Sequence, residues 1–221
     1  LNRPAGAILL PSYDKDTGFD AMEELWQHFK EKNIPCVGID LEFDGLSSVI
    51  LDRPMAIFDS ISCLWGKNYR KIAYAGIDKA FGNEERIEGY KKAAGKFEFP
   101  EKIYSSKSTD DWYAAGIEAM EYYLAQDEKP DVIQFFTDIM AAAALSVLHE
   151  RKIRVPEDIA IIGFDNRSLS TVTWPALSTI AQPVKEVGET SAELLLDLIK
   201  NKNSNSKVEY ISADFVSRQS C

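Results

Sequence analysis

Four aspartates stand at the ends of short apolar runs of the kind that forms a buried strand. They are Asp40, Asp52, Asp138 and Asp165. In an open α/β sheet, ligands bind in the crevice outside the carboxyl ends of the strands. A carboxylate there can accept hydrogen bonds from two adjacent hydroxyl groups. Aspartate is also a common N-cap of a following helix, so one such residue would say little. Four of them predict a ring of polar groups around one cleft.

The elements that must position these aspartates alternate along the chain. Apolar strand patterns, such as Ile159 to Phe164, alternate with helical patterns, such as Gly82 to Gly95 and Pro183 to Lys200. Repeated strand–helix units predict an α/β fold with parallel sheets flanked by helices. The pattern also predicts one closing strand, from Val208 to Phe215.

Two segments are typical of crossings between lobes. Gly66 to Arg70 separates a predicted helix from a predicted strand, and Thr179 to Pro183 precedes the last long helix. If the chain crosses at both segments, each lobe has a sheet edge that faces a common cleft.

The composition narrows the function. The 221 residues carry a net charge of −10 at pH 7, and nucleic acid or an anionic membrane surface would need a basic face. No apolar run approaches the roughly 18 residues of a membrane span, and Leu1 to Pro4 lacks the shape of a signal peptide. The three cysteines show no close pairing, which indicates a reducing compartment and a cytoplasmic protein. His28 and His149 lack metal-ligand spacing, so we expect neither a metal nor another cofactor.

Several motifs, taken together, resemble a known family. They are Asp138-Ile139-Met140-Ala141, the stretch from Arg154 to Asn166, the stretch from Pro175 to Pro183, Glu85 to Tyr90, and the ending Val216 to Ser220. Together they resemble the effector-binding part of the lactose-repressor/galactose-repressor transcription regulators. Those domains share their fold with periplasmic sugar-binding proteins.

The resemblance implies a two-lobed, periplasmic-binding-protein-like fold of type I. The N-terminal lobe would comprise residues 1–68 and 183–205, and the C-terminal lobe residues 69–182 and 206–221. By the same resemblance, the first strands of the N-terminal lobe and the helix-turn-helix that binds operator DNA are absent from this chain. The implied function is that of a ligand-sensing domain. A small effector, a sugar or sugar derivative, binds between the lobes, and closure is transmitted to the DNA-binding domain.

The resemblance also implies most of the site. Asp165 matches an acidic residue that binds sugar hydroxyls, Arg86 matches an arginine that reaches into the cleft, and Gln182 matches a polar residue at the crossing. Asp40 and Asp52 resemble ligand carboxylates of ribose-type binders. For these residues the alternatives are a turn or helix cap, and for Arg86 an ion pair on the helix surface.

Three further positions complete the predicted site. Thr137 stands where the family often has Asn, Ser12 follows the first strand and could line the rim, and Trp112 could stack on a sugar ring. Phe81 and Trp174 are weaker aromatic candidates. For each aromatic residue, packing into the core is the alternative.

The resemblance further implies a homodimer. Val187, Leu194 and Leu198 fall on one stripe of the last long helix and could form an apolar contact surface, although the core of the lobe is the alternative for that stripe.

Two other functions are considered. A periplasmic transport receptor would share the fold but would carry a signal peptide. An α/β enzyme would need a nucleophile elbow, a dinucleotide fingerprint or a Walker loop, and none of these motifs occurs in the sequence. We therefore expect no catalytic residues.

Overall fold

The computed structural model describes residues 4–11, 18–107, 110–201 and 205–221. Within them the strands are β1 (Ala7–Leu9), β2 (Cys36–Ile39), β3 (Ser47–Leu51), β4 (Ile72–Ile77), β5 (Ile103–Ser106), β6 (Val132–Phe135), β7 (Ala160–Asp165), β8 (Ser178–Ala181), β9 (Val208–Ile211) and β10 (Asp214–Val216). The helices are α1 (Gly18–Glu31), α2 (Arg53–Gly66), α3 (Asn83–Phe97), α4 (Trp112–Leu124), α5 (Asp138–Glu150), α6 (Leu169–Val172) and α7 (Val184–Lys200). The predicted α/β class is confirmed. The short helix α6 was not predicted.

The chain forms two compact units. Unit 1 comprises Leu1–Asp52 and Pro183–Ser212, and unit 2 comprises Arg53–Gln182 and Ala213–Cys221. The predicted boundary between residues 182 and 183 coincides with this division. The boundaries predicted after residues 68 and 205 differ from it, and the predicted crossing at Gly66 to Arg70 lies inside unit 2.

Unit 1 is built on a parallel sheet in the order β1-β2-β3-β9. Helix α7 packs on this sheet, where Leu194 joins Val37, Val49 and Ile211 in a buried cluster. Val187 and Leu198 pack against the same cluster. The stripe considered for dimer contact therefore belongs to the core of unit 1.

Unit 2 is built on a larger sheet in the order β10-β8-β7-β6-β4-β5. All neighbouring pairs are parallel except β10, which runs antiparallel to β8. The central strands β4, β6 and β7 are buried almost throughout, as their continuous apolar runs predict. Their carboxyl ends lie at one edge of the sheet, which places the residues after them close together.

The predicted closing strand from Val208 to Phe215 is wrong as a single element. It divides into β9, which pairs with β3 in unit 1, and β10, which pairs with β8 in unit 2. The chain changes unit between Ser212 and Ala213.

Two glycines let helices of unit 2 approach closely. A Cβ atom at Gly89 of α3 would lie 2.2 Å from the carbonyl oxygen of Pro54 in α2. A Cβ atom at Gly116 of α4 would lie 2.4 Å from the carbonyl oxygen of Met140 in α5. These contacts involve backbone atoms, so neither position has room for a side chain. The close α2–α3 contact is the physical reason that α2 belongs to unit 2.

Among the residues that the structure describes, no helix combines the length and the apolar character that a membrane crossing requires.

Candidate functional site

The centre of the candidate site is a hydrogen-bonded pair at the carboxyl edge of the unit 2 sheet. Asp165 is the last residue of β7 and lies opposite Ala181 of β8 in the parallel register. Gln182, the next residue along the chain, therefore lies beside it and donates from Nε2 to Asp165 Oδ1 at 2.5 Å. The structure thus brings together two of the predicted site residues.

The chain turns sharply as it leaves β7. Asp165 has φ 113° and Asn166 has φ 54°, a left-handed conformation that aspartate and asparagine tolerate better than most residues. The turn leaves the Asp165 side chain only 10% exposed, with Arg167 Nε 3.4 Å from Oδ2. Burial raises the pKa of Asp165, while the charge of Arg86 and the hydrogen bond from Gln182 oppose that rise.

Arg86 supplies the positive partner of this carboxylate. Its guanidinium carbon lies 4.0 Å from the ring centroid of Phe164 and 4.4 Å from that of Phe136, so the cation is held by two aromatic rings. Nη1 donates to the carbonyl oxygen of Gly82 at 2.8 Å. The pKa of Arg86 is lowered to about 10, chiefly by burial and in smaller part by the positive charge of Arg53, while Tyr74 and Asp165 act in the opposite direction. The alternative of an ion pair on the helix surface is wrong, since Arg86 is only 4% exposed.

Sequence reasoning missed Phe136 and Phe164. Both stand at the ends of apolar runs, where a phenylalanine is indistinguishable from an ordinary core residue. Trp112 begins α4, is half-buried and packs edge-on against Phe136 with ring centroids 6.0 Å apart. Phe136 and Phe164 are therefore the rings that contact Arg86, and Trp112 contacts Phe136. A ligand contact of Trp112 stays a prediction. Trp174 is 81% exposed.

Arg53 is a second buried arginine that the sequence analysis did not single out. It begins α2, is 4% exposed and donates from Nη1 to Glu85 Oε2 at 3.0 Å. Its guanidinium carbon lies 5.3 Å from the ring centroid of Phe81. The only sequence signal was its position directly after Asp52, at the end of a strand.

Thr137 and Asp138 have different roles at the start of α5. Thr137 is the N-cap of α5 and accepts a hydrogen bond from Met140 N, so the neighbouring Asp138 does not have the N-cap role that is the alternative for an aspartate after a strand. A ligand contact of Thr137 stays a prediction. Asp138 is fully buried and accepts from Thr179 Oγ1 at 2.6 Å and from Arg167 N at 2.7 Å. These bonds hold the backbone just after Asp165 in place, which makes Asp138 a support of the site.

The burial of Asp138 predicts a pH dependence of stability. Burial raises its pKa from 3.8 to about 6, although its two hydrogen bonds act in the opposite direction. The folded protein therefore binds the proton more tightly than the unfolded chain does. The resulting stabilisation is fully present below pH 3.8 and is lost as the pH rises through about 6.

The test compares the pH dependence of stability in the wild-type protein with that in the Asp138→Asn variant, whose side chain at this position cannot ionise. From pH 4 to pH 7 the free energy of unfolding of wild type should fall by roughly 2 to 3 kcal/mol relative to the variant. Urea denaturation at four pH values in this range would measure the difference. A difference that stays constant over the range would contradict the prediction.

The remaining predicted site residues lie in unit 1 or outside the described residues. Asp40 has φ 53°, and its Oδ1 accepts from Leu51 N at 2.9 Å, which is the turn role considered as its alternative. Asp52 follows β3, and its backbone N–H donates to the carbonyl oxygen of Ile211. Ser12 lies outside the described residues. Ligand contacts of these three residues stay predictions.

The arrangement in unit 2 is suited to binding a small polar ligand. A guanidinium and an amide donate hydrogen bonds, a carboxylate accepts them, and aromatic rings lie beside these polar groups. Such a mixture of apolar surface and few oriented polar groups is typical of small-molecule sites. Among the described residues, no group of three or more His, Cys, Asp and Glu side chains could hold a metal ion.

The sequence and the fold of this chain match known proteins. Residues 61–221 match the model of the periplasmic binding protein-like domain. Catabolite control protein A of Priestia megaterium is 30% identical over 90% of this chain and 61% of its own length. The HTH-type transcriptional repressor CytR of Escherichia coli (strain K12) is 31% identical over 91% of this chain and 59% of its own length. The chain thus spans less than two thirds of the length of these curated relatives.

Solved structures of the same fold include a LacI family regulator. A LacI family transcriptional regulator from Enterococcus faecium, solved with bound ribose, has a TM-score of 0.80 and 25% identity, and the match covers 96% of this chain and 78% of that one. The match to a transcriptional repressor supports the predicted regulator over a transport receptor. The fold and the resemblance predicted from the motifs are confirmed. The chain belongs to the periplasmic binding protein-like domain family, and its relatives include transcriptional repressors and LacI family regulators.

Proposed function

We propose that this chain is the effector-sensing part of a transcriptional regulator and that it binds a sugar or sugar derivative at Asp165, Arg86 and Gln182. The observation that carries the proposal is the buried Arg86, whose guanidinium contacts the rings of Phe136 and Phe164 and whose charge acts on the hydrogen-bonded carboxylate of Asp165. A guanidinium in this position presents a fixed fork of donors, and the carboxylate accepts from neighbouring hydroxyls. The bound ribose of the Enterococcus faecium structure supports a sugar as the class of ligand.

Regulation in this proposal is a shift between populations. An effector changes operator affinity only if it binds two states of the protein with different affinities. Operator binding itself would reside in parts of the relatives beyond the share that this chain covers. A regulator of this kind acts on DNA, so we propose a cytoplasmic location. The homodimer and the ligand contacts of Asp40 and Asp52 stay predictions.

The proposal predicts that a sugar stabilises the protein. A ligand that binds only the folded state, present at 100 times its Kd, adds about 2.7 kcal/mol to the free energy of unfolding. A thermal-shift screen over pentoses, hexoses, their acids and their phosphates would find it. A sugar that binds should raise the midpoint temperature of unfolding of the wild-type protein but not that of the Arg86→Gln variant.

The control is Arg151→Gln in the same unit, because Arg151 is exposed and pairs only with Glu121 among the ion pairs described. This variant should respond to the hit as wild type does. A hit that stabilises Arg86→Gln as much as wild type would refute the site, and a panel without any hit would refute the class of ligand.

A further inference from the structure

Two buried guanidinium groups converge on one glycine at the start of α3. A Cβ atom at Gly82 would lie 2.6 Å from Arg86 Nη1 and 2.9 Å from Arg53 Nε. Gly82 also has φ 74°, a conformation that side chains rarely adopt. The position therefore favours glycine for two reasons, and the guanidinium groups of Arg86 and Arg53 both lie close to the space that a Cβ atom would take.

The same glycine is the N-cap of a long helix. Because glycine has no side chain, Gly82 gives no side-chain cap hydrogen bond to α3, which is 15 residues long. The first N–H groups of a helix and its dipole favour an anion at this end. The two arginines and the helix terminus thus place positive charge, from independent sources, around one point.

Arg86 retains unused hydrogen-bonding capacity at this point. Its Nε atom is buried and has no hydrogen-bond partner among the residues that the structure describes. A buried donor without an acceptor destabilises the protein. A ligand that supplies an acceptor to the Arg86 guanidinium would remove this cost, and the free energy recovered would strengthen binding of the ligand. The neighbouring charge of Arg53 disfavours the charged form of Arg86, and an anion near both would relieve this repulsion.

Glu85 shows how an anion can be accommodated here. Its carboxylate accepts from Arg53 Nη1 at 3.0 Å, yet the Glu85 side chain is 43% exposed while that of Arg53 is 4% exposed. A partly exposed carboxylate on a buried guanidinium can swing into solvent and be replaced by another carboxylate or by a phosphate. Glu85 would therefore compete with an anionic ligand.

We infer that the effector carries an anionic group, a carboxylate or a phosphate, and that Arg53 and Arg86 bind it at the N-terminus of α3. Arg53 is in this view a residue that determines specificity, because it adds a second cation beside the arginine of the proposed sugar site. The inference rests on the proposed function. It narrows the effector to sugar acids or sugar phosphates.

The experiment compares neutral and anionic forms of the same sugar by titration calorimetry. The panel contains glucose, glucuronate and glucose 6-phosphate, galactose and galacturonate, and ribose and ribose 5-phosphate. An acid or a phosphate should bind at least tenfold more tightly than its neutral parent, which is the usual worth of a charged hydrogen bond. The uronate and phosphate arms distinguish the two anionic groups.

Variants of Arg53 and Glu85 test whether these residues cause the preference for the anionic sugar over its neutral parent. Arg53→Gln should reduce the preference to less than about threefold, and Arg53→Lys, which keeps the charge without the fork, should retain part of it. Glu85→Gln should strengthen binding of the anion several-fold, because it removes the competitor. Arg151→Gln, an exposed arginine of the same unit, should leave the preference unchanged. Circular dichroism would establish that each variant is folded.

Each outcome decides the inference. A neutral sugar that binds as tightly as its acid and its phosphate would overturn it and leave the proposed function standing. A preference for the anion that survives in Arg53→Gln, or weaker binding of the anion by Glu85→Gln, would also overturn it. Absence of binding by every member of the panel would overturn the inference and the proposed function together.

Discussion

Replacement of Asp165 by Ala is expected to lower effector affinity at least a hundredfold in a protein that still folds. The carboxylate is the acceptor at the centre of the site, and hydrogen bonds to a charged group contribute roughly 1.5 to 3 kcal/mol each. Two such bonds to adjacent hydroxyls account for a hundredfold loss or more. Titration calorimetry with the sugar found by the thermal screen would measure it.

The loss should be specific to the charge and position of Asp165. Asp165→Asn keeps an acceptor and tolerates φ 113°, so its affinity should fall by about tenfold. The exposed Asp127, changed to Ala, should bind as wild type does. Folding is expected to survive because burial already disfavours the charged form of Asp165, as its raised pKa indicates. Unchanged affinity in a folded Asp165→Ala protein would remove this residue from the site.

Substitution of Gly89 by Ala is expected to destabilise unit 2 by about 3 kcal/mol. The added Cβ would lie 2.2 Å from the carbonyl oxygen of Pro54 and 2.9 Å from its Cα atom. These are backbone atoms, so one helix must move away from the other. Urea denaturation followed by circular dichroism would measure the change.

Gly95 in the same helix provides the matched control. A Cβ atom there would meet nothing within 4 Å. Alanine is a better helix former than glycine by roughly 0.5 to 1 kcal/mol, so Gly95→Ala should stabilise the protein by about that amount. The two variants make the same chemical change with opposite expected signs. A stability gain in both would refute the close packing of α2 against α3.

The site shows which features were visible in the sequence. Asp165 was predictable because a buried parallel strand has a local signature, and the residue after its last apolar position must lie at the sheet edge. Gln182 and Arg86 were predictable only through the resemblance to the repressor family. Arg53 was not predicted, since nothing local distinguishes a buried arginine at the start of a helix from an exposed one.

The choice of Thr137 rather than Asp138 as the N-cap of α5 has a local cause. Both residue types are good N-caps, and the cap is whichever residue precedes the first helical backbone conformation. That choice differs by one position and leaves the apolar pattern unchanged. It nevertheless decides which side chain bonds to its own helix and which one bonds to Thr179 and the loop after β7.

The sequence by itself determined the α/β class, most of the elements and the family, because these depend on apolar periodicity and on short motifs read along the chain. Only the tertiary structure decided that residues 208–216 serve two sheets, that α2 belongs to unit 2, and that Phe136 and Phe164 hold Arg86. These outcomes depend on strand register and on distances between segments far apart in the chain. A local pattern states that a residue is buried, but it does not state against which partner.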